Sequence, residues 1–76
     1  MRILIVGAGN AGRKLASRLC EEKHNVIMVD SNPDSLFEAE KGLDILSICG
    51  DGTHPKVLQE AEVDKADLFI SLTDSD

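Results

Sequence analysis

Ile3-Leu4-Ile5-Val6 is an unbroken apolar run, rich in β-branched side chains, that stops at a glycine. A strand with one face in water alternates apolar and polar residues, whereas a run without alternation belongs to a strand covered on both faces, as at the centre of a parallel sheet. From Asn10 the periodicity changes. Gly12, Leu15, Ala16 and Leu19 recur at helical spacing, and Arg13, Lys14, Ser17, Arg18 and Glu21 take the other side, so a helix begins inside the glycine-rich segment. A buried strand, a tight turn and a helix in immediate succession predict a parallel strand–helix–strand unit.

The rest of the chain repeats that unit. His24-Asn25 makes a polar break, and Val26-Ile27-Met28-Val29 supplies a second buried run ending at Asp30. Ser31-Asn32-Pro33-Asp34 reads as a helix start, with Asn32 as N-cap and Pro33 preset for the first helical position. Leu36, Ala39 and Leu43 line the inner face of this second helix, and Gly42 supplies a left-handed residue near its end. Ile45–Cys49 follows as a third strand, Pro55–Ala61 as a third helix with Val57, Leu58 and Ala61 inward, and Leu68–Leu72 as a fourth strand. The expected fold is α/β, a Rossmann-like doubly wound parallel sheet of about four strands in the order 3-2-1-4, with helices on both faces. It occupies residues 1–76 as a single, partial domain.

Composition removes several classes of function. A net charge of -6 over 76 residues argues against nucleic-acid binding, which needs a basic face for phosphates, and against adsorption to anionic lipid. Arg13, Lys14 and Arg18 share one side of the first helix, either as a solvated face or as a partner contact. No apolar run is long enough to span a bilayer, and Ile3–Val6 is far too short for a secretory signal core, so a cytoplasmic location is expected. Cys20 and Cys49 lack C-x-x-C spacing and sit among apolar residues, which predicts buried free thiols rather than a disulfide or a metal site.

Gly7-Ala8-Gly9-Asn10-Ala11-Gly12 fits G-x-G-x-x-G, a weak motif by itself that gains meaning from its context. A strand precedes it, a helix opens at its end, and Asp30 stands about 20 residues on, at the end of the second strand. Each residue type has a mechanical task. Gly7 permits the tight turn, Gly9 lets a phosphate approach the backbone, and Gly12 lets the helix pack closely on the sheet. The unpaired N–H groups of Asn10, Ala11 and Gly12, at the positive end of a helix dipole, favour an anion. Asp30 accepts from two ribose hydroxyls and repels a 2'-phosphate, and no Arg or Lys lies between Ser31 and Asp34 to receive one, so NAD or an adenosine nucleotide is favoured over NADP. The alternative is that the glycines serve packing and Asp30 is an unusual cap.

Gly50-Asp51-Gly52-Thr53 leaves the third strand at the same sheet edge. Asp51 either accepts an adenine amino proton or, with Thr53, caps the helix that Pro55 announces. His54 has no adjacent nucleophile and no orienting acid, so an exposed or capping role is expected, and His24 sits in a turn. Asp74 and Asp76 lack a metal-binding pattern. No catalytic residue and no metal ligand is identified.

Four blocks, "MRILIVGAGNAGRKLA", "VIMVDSNPD", "CGDGT" and "AEVDKADLFISLTDSD", carry a family likeness across essentially the whole chain. Together they resemble the nucleotide-binding N-terminal domain of TrkA-type proteins, also called KTN or RCK, cytoplasmic regulators of potassium transporters and channels. The resemblance implies a module that binds NAD or NADH, or ATP and ADP, without chemistry. It would act as a homo-oligomer, a dimer or higher, on a membrane potassium-translocating subunit. It places Gly7 through Ala11 at the pyrophosphate, Asp30 at the adenosine ribose, Asp51 with Gly52 at the adenine end, and Thr73 and Asp74 at the mouth between strands one and four. Gly12, Ser31 and Thr53 complete the expected cofactor-binding set. It also implies a domain that continues for about two further strand–helix units, with strand four an unpaired edge in this chain. Rival readings are the nucleotide-binding portion of an NAD-dependent, saccharopine-dehydrogenase-like oxidoreductase, and a half-domain that dimerises and has lost its ligand.

Overall fold

β1 (Arg2–Val6) occupies the interior of the sheet, as its unalternating sequence requires. The computed structural model describes residues 1–72. After β1 come α1 (Asn10–Glu21), β2 (Asn25–Asp30), α2 (Pro33–Glu40), β3 (Leu46–Cys49), α3 (Pro55–Glu60) and β4 (Leu68–Ser71). A single 3-10 turn, Val63–Lys65, precedes β4. The described strands are all parallel and run in the order β3-β2-β1-β4. Ile3 stands beside Val26 and Leu68, and Ile5 beside Met28 and Ile70.

Alternate residues of β1 and β2 feed two cores, which explains the absence of polar positions in either run. Ile3, Ile5, Val26 and Met28 pack on one face against Ala16 of α1 and Leu36 and Ala39 of α2. Leu4 and Val29 pack on the other against Ala61, with Val57 and Leu58 of α3 at the margin. Ile3, Leu4, Ile5, Met28 and Val29 are completely enclosed, and burial of a side chain of this size contributes about 1.5–3 kcal/mol. α1 and α2 thus cover one face and α3 the other, the expected doubly wound arrangement.

The start of α2 is as anticipated, but the helix ends at Glu40, so Leu43 reaches the core from the following loop and not from the helix. The Asn32 side chain accepts from the Asp34 N–H at 2.9 Å and the Ser35 N–H at 3.4 Å, and Pro33 opens the helix. Gly42 is left-handed at φ +73° in the turn that follows. Four further differences concern the ends and edges of elements. β3 begins at Leu46, and Ile45, partly buried, packs against the α1–α2 core. α3 ends at Glu60, and Ala61 is buried as its C-cap. β4 stops at Ser71. The cysteines are not buried as expected: Cys20 is half-buried, and Cys49 is exposed because β3 forms one margin of the sheet. Burial, followed by the neighbouring Asp44 carboxylate, pushes the Cys20 thiol up from its ordinary value, which favours the protonated form.

α1 lies close on the turn and the sheet at Gly12, where an added Cβ would stand 2.1 Å from the Gly7 carbonyl oxygen and 3.3 Å from Met28 Cε. Gly12→Ala is therefore expected to destabilise the domain by about 3 kcal/mol, the upper end of overpacking costs. Thermal unfolding should show a midpoint lowered by about 10 °C or more.

Candidate functional site

The carboxyl ends of the parallel strands enclose a cleft of about 310 Å³. Three loops from separate parts of the chain meet there. The glycine turn contributes Gly7, Gly9, Ala11 and Gly12, the end of β2 contributes Asp30 and Ser31, and the loop after β3 contributes Asp51, Gly52 and Thr53. The floor is Val6, Val29, Ser71 and Leu72. Sequence reasoning did not single out these four, although each lies at or next to the end of its strand. In an open α/β sheet the crevice forms at such ends, where the strand order reverses.

The turn is built by close contact. Gly7 has φ +117°, and its N–H donates to the Val29 carbonyl at 2.8 Å. An added Cβ there would meet the Leu72 carbonyl oxygen at 2.1 Å, so both conformation and space require glycine. Gly9 differs. Its φ of -73° and ψ of -167° are ordinary extended backbone, open to any residue, and it caps α1 with no side chain. The first helical bond runs from the Arg13 N–H to the Gly9 carbonyl at 2.9 Å. Among the described residues the N–H groups of Asn10, Ala11 and Gly12 meet no acceptor, and no acid lies in the first turn. These donors carry the partial positive charge of the helix end.

Two side chains of the glycine turn are directed away from the cleft. The Ala8 side chain is buried in the α1–α2 core, and its N–H donates to Asp30 Oδ2 at 2.7 Å. Ala8 is thus committed to the fold and faces away from the cleft. The Asn10 side chain accepts from the Arg13 guanidinium and is absent from the lining. Asp30 is also engaged with backbone beyond Ala8: Oδ1 accepts from the Asn32 N–H at 2.8 Å, and its carbonyl accepts from the Gly50 N–H at 2.9 Å.

The loop after β3 is shaped by Asp51. Its Oδ1 accepts from both the Thr53 N–H at 2.8 Å and the Thr53 hydroxyl at 2.7 Å. The cap of α3 is neither of these residues but His54, whose Nδ1 accepts from the Lys56 N–H at 3.2 Å. A Cβ on Gly52 would meet Val6 Cγ1 at 2.4 Å, so this loop lies directly across the end of β1. Thr73 and Asp74 lie outside the described residues. Among the described residues there is no cluster of three or more metal-ligating side chains, and no helix is long and apolar enough to cross a membrane.

A doubly wound parallel sheet with a glycine turn, an uncapped helix start and an acid at the end of β2 around one crevice defines a Rossmann-like domain. The family model described as "TrkA-N domain" matches residues 3–76, and the chain belongs to that family. It is 40% identical over 76 residues to the Trk system potassium uptake protein TrkA of Halomonas elongata, and 38% identical over 76 residues to that of Vibrio alginolyticus. It is 37% identical over 76 residues to the Trk system potassium uptake protein TrkA homolog of Methanothermobacter thermautotrophicus. All of this chain is covered in each case. It spans 17% of the length of the first two relatives and 35% of the third.

The Thr53 N–H, and then its hydroxyl, hold the Asp51 carboxyl below its ordinary value. A lowered carboxyl favours the ordered loop while ionised, so its contribution is present above the unfolded value of about 3.9 and is lost as pH falls through the lower folded value. A carbon-detected NMR titration should place the Asp51 midpoint below that value, and Thr53→Val should move it upward.

Proposed function

We propose that this chain is the nucleotide-sensing part of a regulatory component of a potassium transporter or channel, and that it binds NAD or NADH, with ATP and ADP as alternatives, without chemistry on the ligand. One observation carries the reading: Ala11 and Gly12, with acceptor-free amides, and Asp30, with its carboxylate, line the same cleft. The first suits an anionic diphosphate, the second a pair of hydroxyls, and a nucleotide carries both a short distance apart. Asp51, Gly52 and Thr53 close the third side, where the base would rest.

The relatives' names, Trk system potassium uptake proteins, supply the physiological setting. In it the domain lies on the cytoplasmic side, held at the membrane by a potassium-translocating subunit, and works as a dimer or larger assembly. Ligand binding then biases the partner only if the nucleotide has unequal affinity for two arrangements of the assembly, since equal affinity shifts no equilibrium.

Calorimetric titration with NAD, NADH, ATP and ADP tests this directly. Saturable binding of at least one, with no turnover of added hydroxy or amino acids, is expected. Turnover would instead favour the oxidoreductase reading. Gly9→Val should abolish binding while leaving the unfolding midpoint within a few degrees of the parent, because the backbone at Gly9 accepts any residue. Asp30→Ala should weaken binding by about 1–3 kcal/mol, the range for a lost charged hydrogen-bond partner. Unchanged affinity in either variant would remove that residue from the site.

A further inference from the structure

Asp30 is placed unusually for a residue whose only task is to receive a ligand's hydroxyls. Its two carboxylate oxygens already accept from the N–H groups of Ala8 and Asn32, on two different loops, at 2.7 and 2.8 Å. Ala8 follows Gly7, whose own N–H is tied to β2 through Val29, so the start of the glycine turn is fastened to the end of β2 at two successive amides. The turn from Gly9 to Gly12 has no side-chain cap to hold it. Among the described residues, the Asp30 carboxylate is thus a side chain from outside the turn that holds the backbone leading into it, at Ala8.

We propose that Asp30 is a positioning residue for the anionic half of the ligand: by holding the Ala8 N–H it sets the α1 amides in place before any nucleotide arrives. This rests on the nucleotide-binding reading above and adds a second role, independent of the ribose. Coulomb's law makes the two roles separable by sign. A carboxylate this close to a phosphate site opposes the anion, so removing its charge would strengthen phosphate binding if the side chain acted only through space and through hydroxyls. Removing the tether instead weakens it. Each carboxylate oxygen accepts more than one hydrogen bond, so the oxygens that hold the backbone still have capacity for hydroxyls. Asparagine offers one acceptor oxygen and one NH₂, and leaves either the Ala8 or the Asn32 N–H facing a donor.

The test compares ADP with 2',3'-dideoxy-ADP, which has no ribose hydroxyl for Asp30 to meet, in the parent chain and in Asp30→Asn. The expected result is that Asp30→Asn binds dideoxy-ADP about fivefold or more weaker than the parent, the loss corresponding to one charged hydrogen bond. In the ligand-free protein, amide exchange at Ala8 should accelerate and the amide shifts of Asn10, Ala11 and Gly12 should move, while those of Leu4 and Met28 stay in place. Asp30→Glu keeps both carboxylate oxygens; it should fall between the other two and serves if the Asn variant does not fold. Equal or tighter dideoxy-ADP binding by Asp30→Asn, or an Ala8 amide equally protected in both, overturns the proposal. A parent chain that binds neither nucleotide overturns the nucleotide reading itself, a result distinguishable at the first titration.

Discussion

The contact between the Gly7 backbone and its surroundings governs the upper half of this domain. β1 must end, reverse direction and start a helix within three residues, and the space for a side chain at the point of reversal is taken by the Leu72 carbonyl on one side. The Gly7 carbonyl in turn occupies the space where Gly12 would carry a Cβ. Two glycines and one strand end are thereby packed with no room for a side chain between them. α1 lies low on the sheet, Ala16 reaches the core, and the free amides of the helix end open onto the cleft. The site is a direct product of backbone packing.

Legibility in the sequence followed the range of the forces involved. The central position of β1, the two-sided burial of β2, the Asn32 cap and the left-handed Gly42 depend on a few neighbouring residues, and a pattern of a few residues conveys them. The strand order was legible for a related reason, since handed crossovers leave few ways to arrange such units. What the sequence did not convey depends on residues far apart. Ala8 shares a motif with residues that face the cleft, yet its direction is set by Asp30 and by the core beneath it. The floor made by Val6, Val29 and Leu72 is visible only when strand ends converge. Cys49 has an apolar neighbour on its N-terminal side but stands on a marginal strand, and its exposure follows from that position alone.

The polar residues at the cleft also have structural roles that a motif does not reveal. Asp30 and Asp51 both accept from backbone N–H groups, and His54, which lacks the companions of a general base, has its Nδ1 occupied by the Lys56 amide. A parallel sheet leaves its loops with many unpaired amides at the carboxyl edge, and short acceptor side chains are the local means of satisfying them. The residues that keep this edge ordered are therefore the same types that a ligand would use.

The plug at Gly7 has a bearing on how the chain assembles. β4 joins β1 across almost the full length of the described sequence, and the Leu72 N–H donates to the Val6 carbonyl at 2.7 Å. Contacts of such separation carry the largest loop-closure entropy and form slowly. On a ribosome, β1, α1 and β2 emerge together and pair locally, but the side of β1 that adjoins the cleft stays open to solvent until the residues near Leu72 have left the exit tunnel. Completion of the crevice thus waits on a segment more than sixty residues after β1. During that interval the unpaired backbone edge of β1 is open to mispairing.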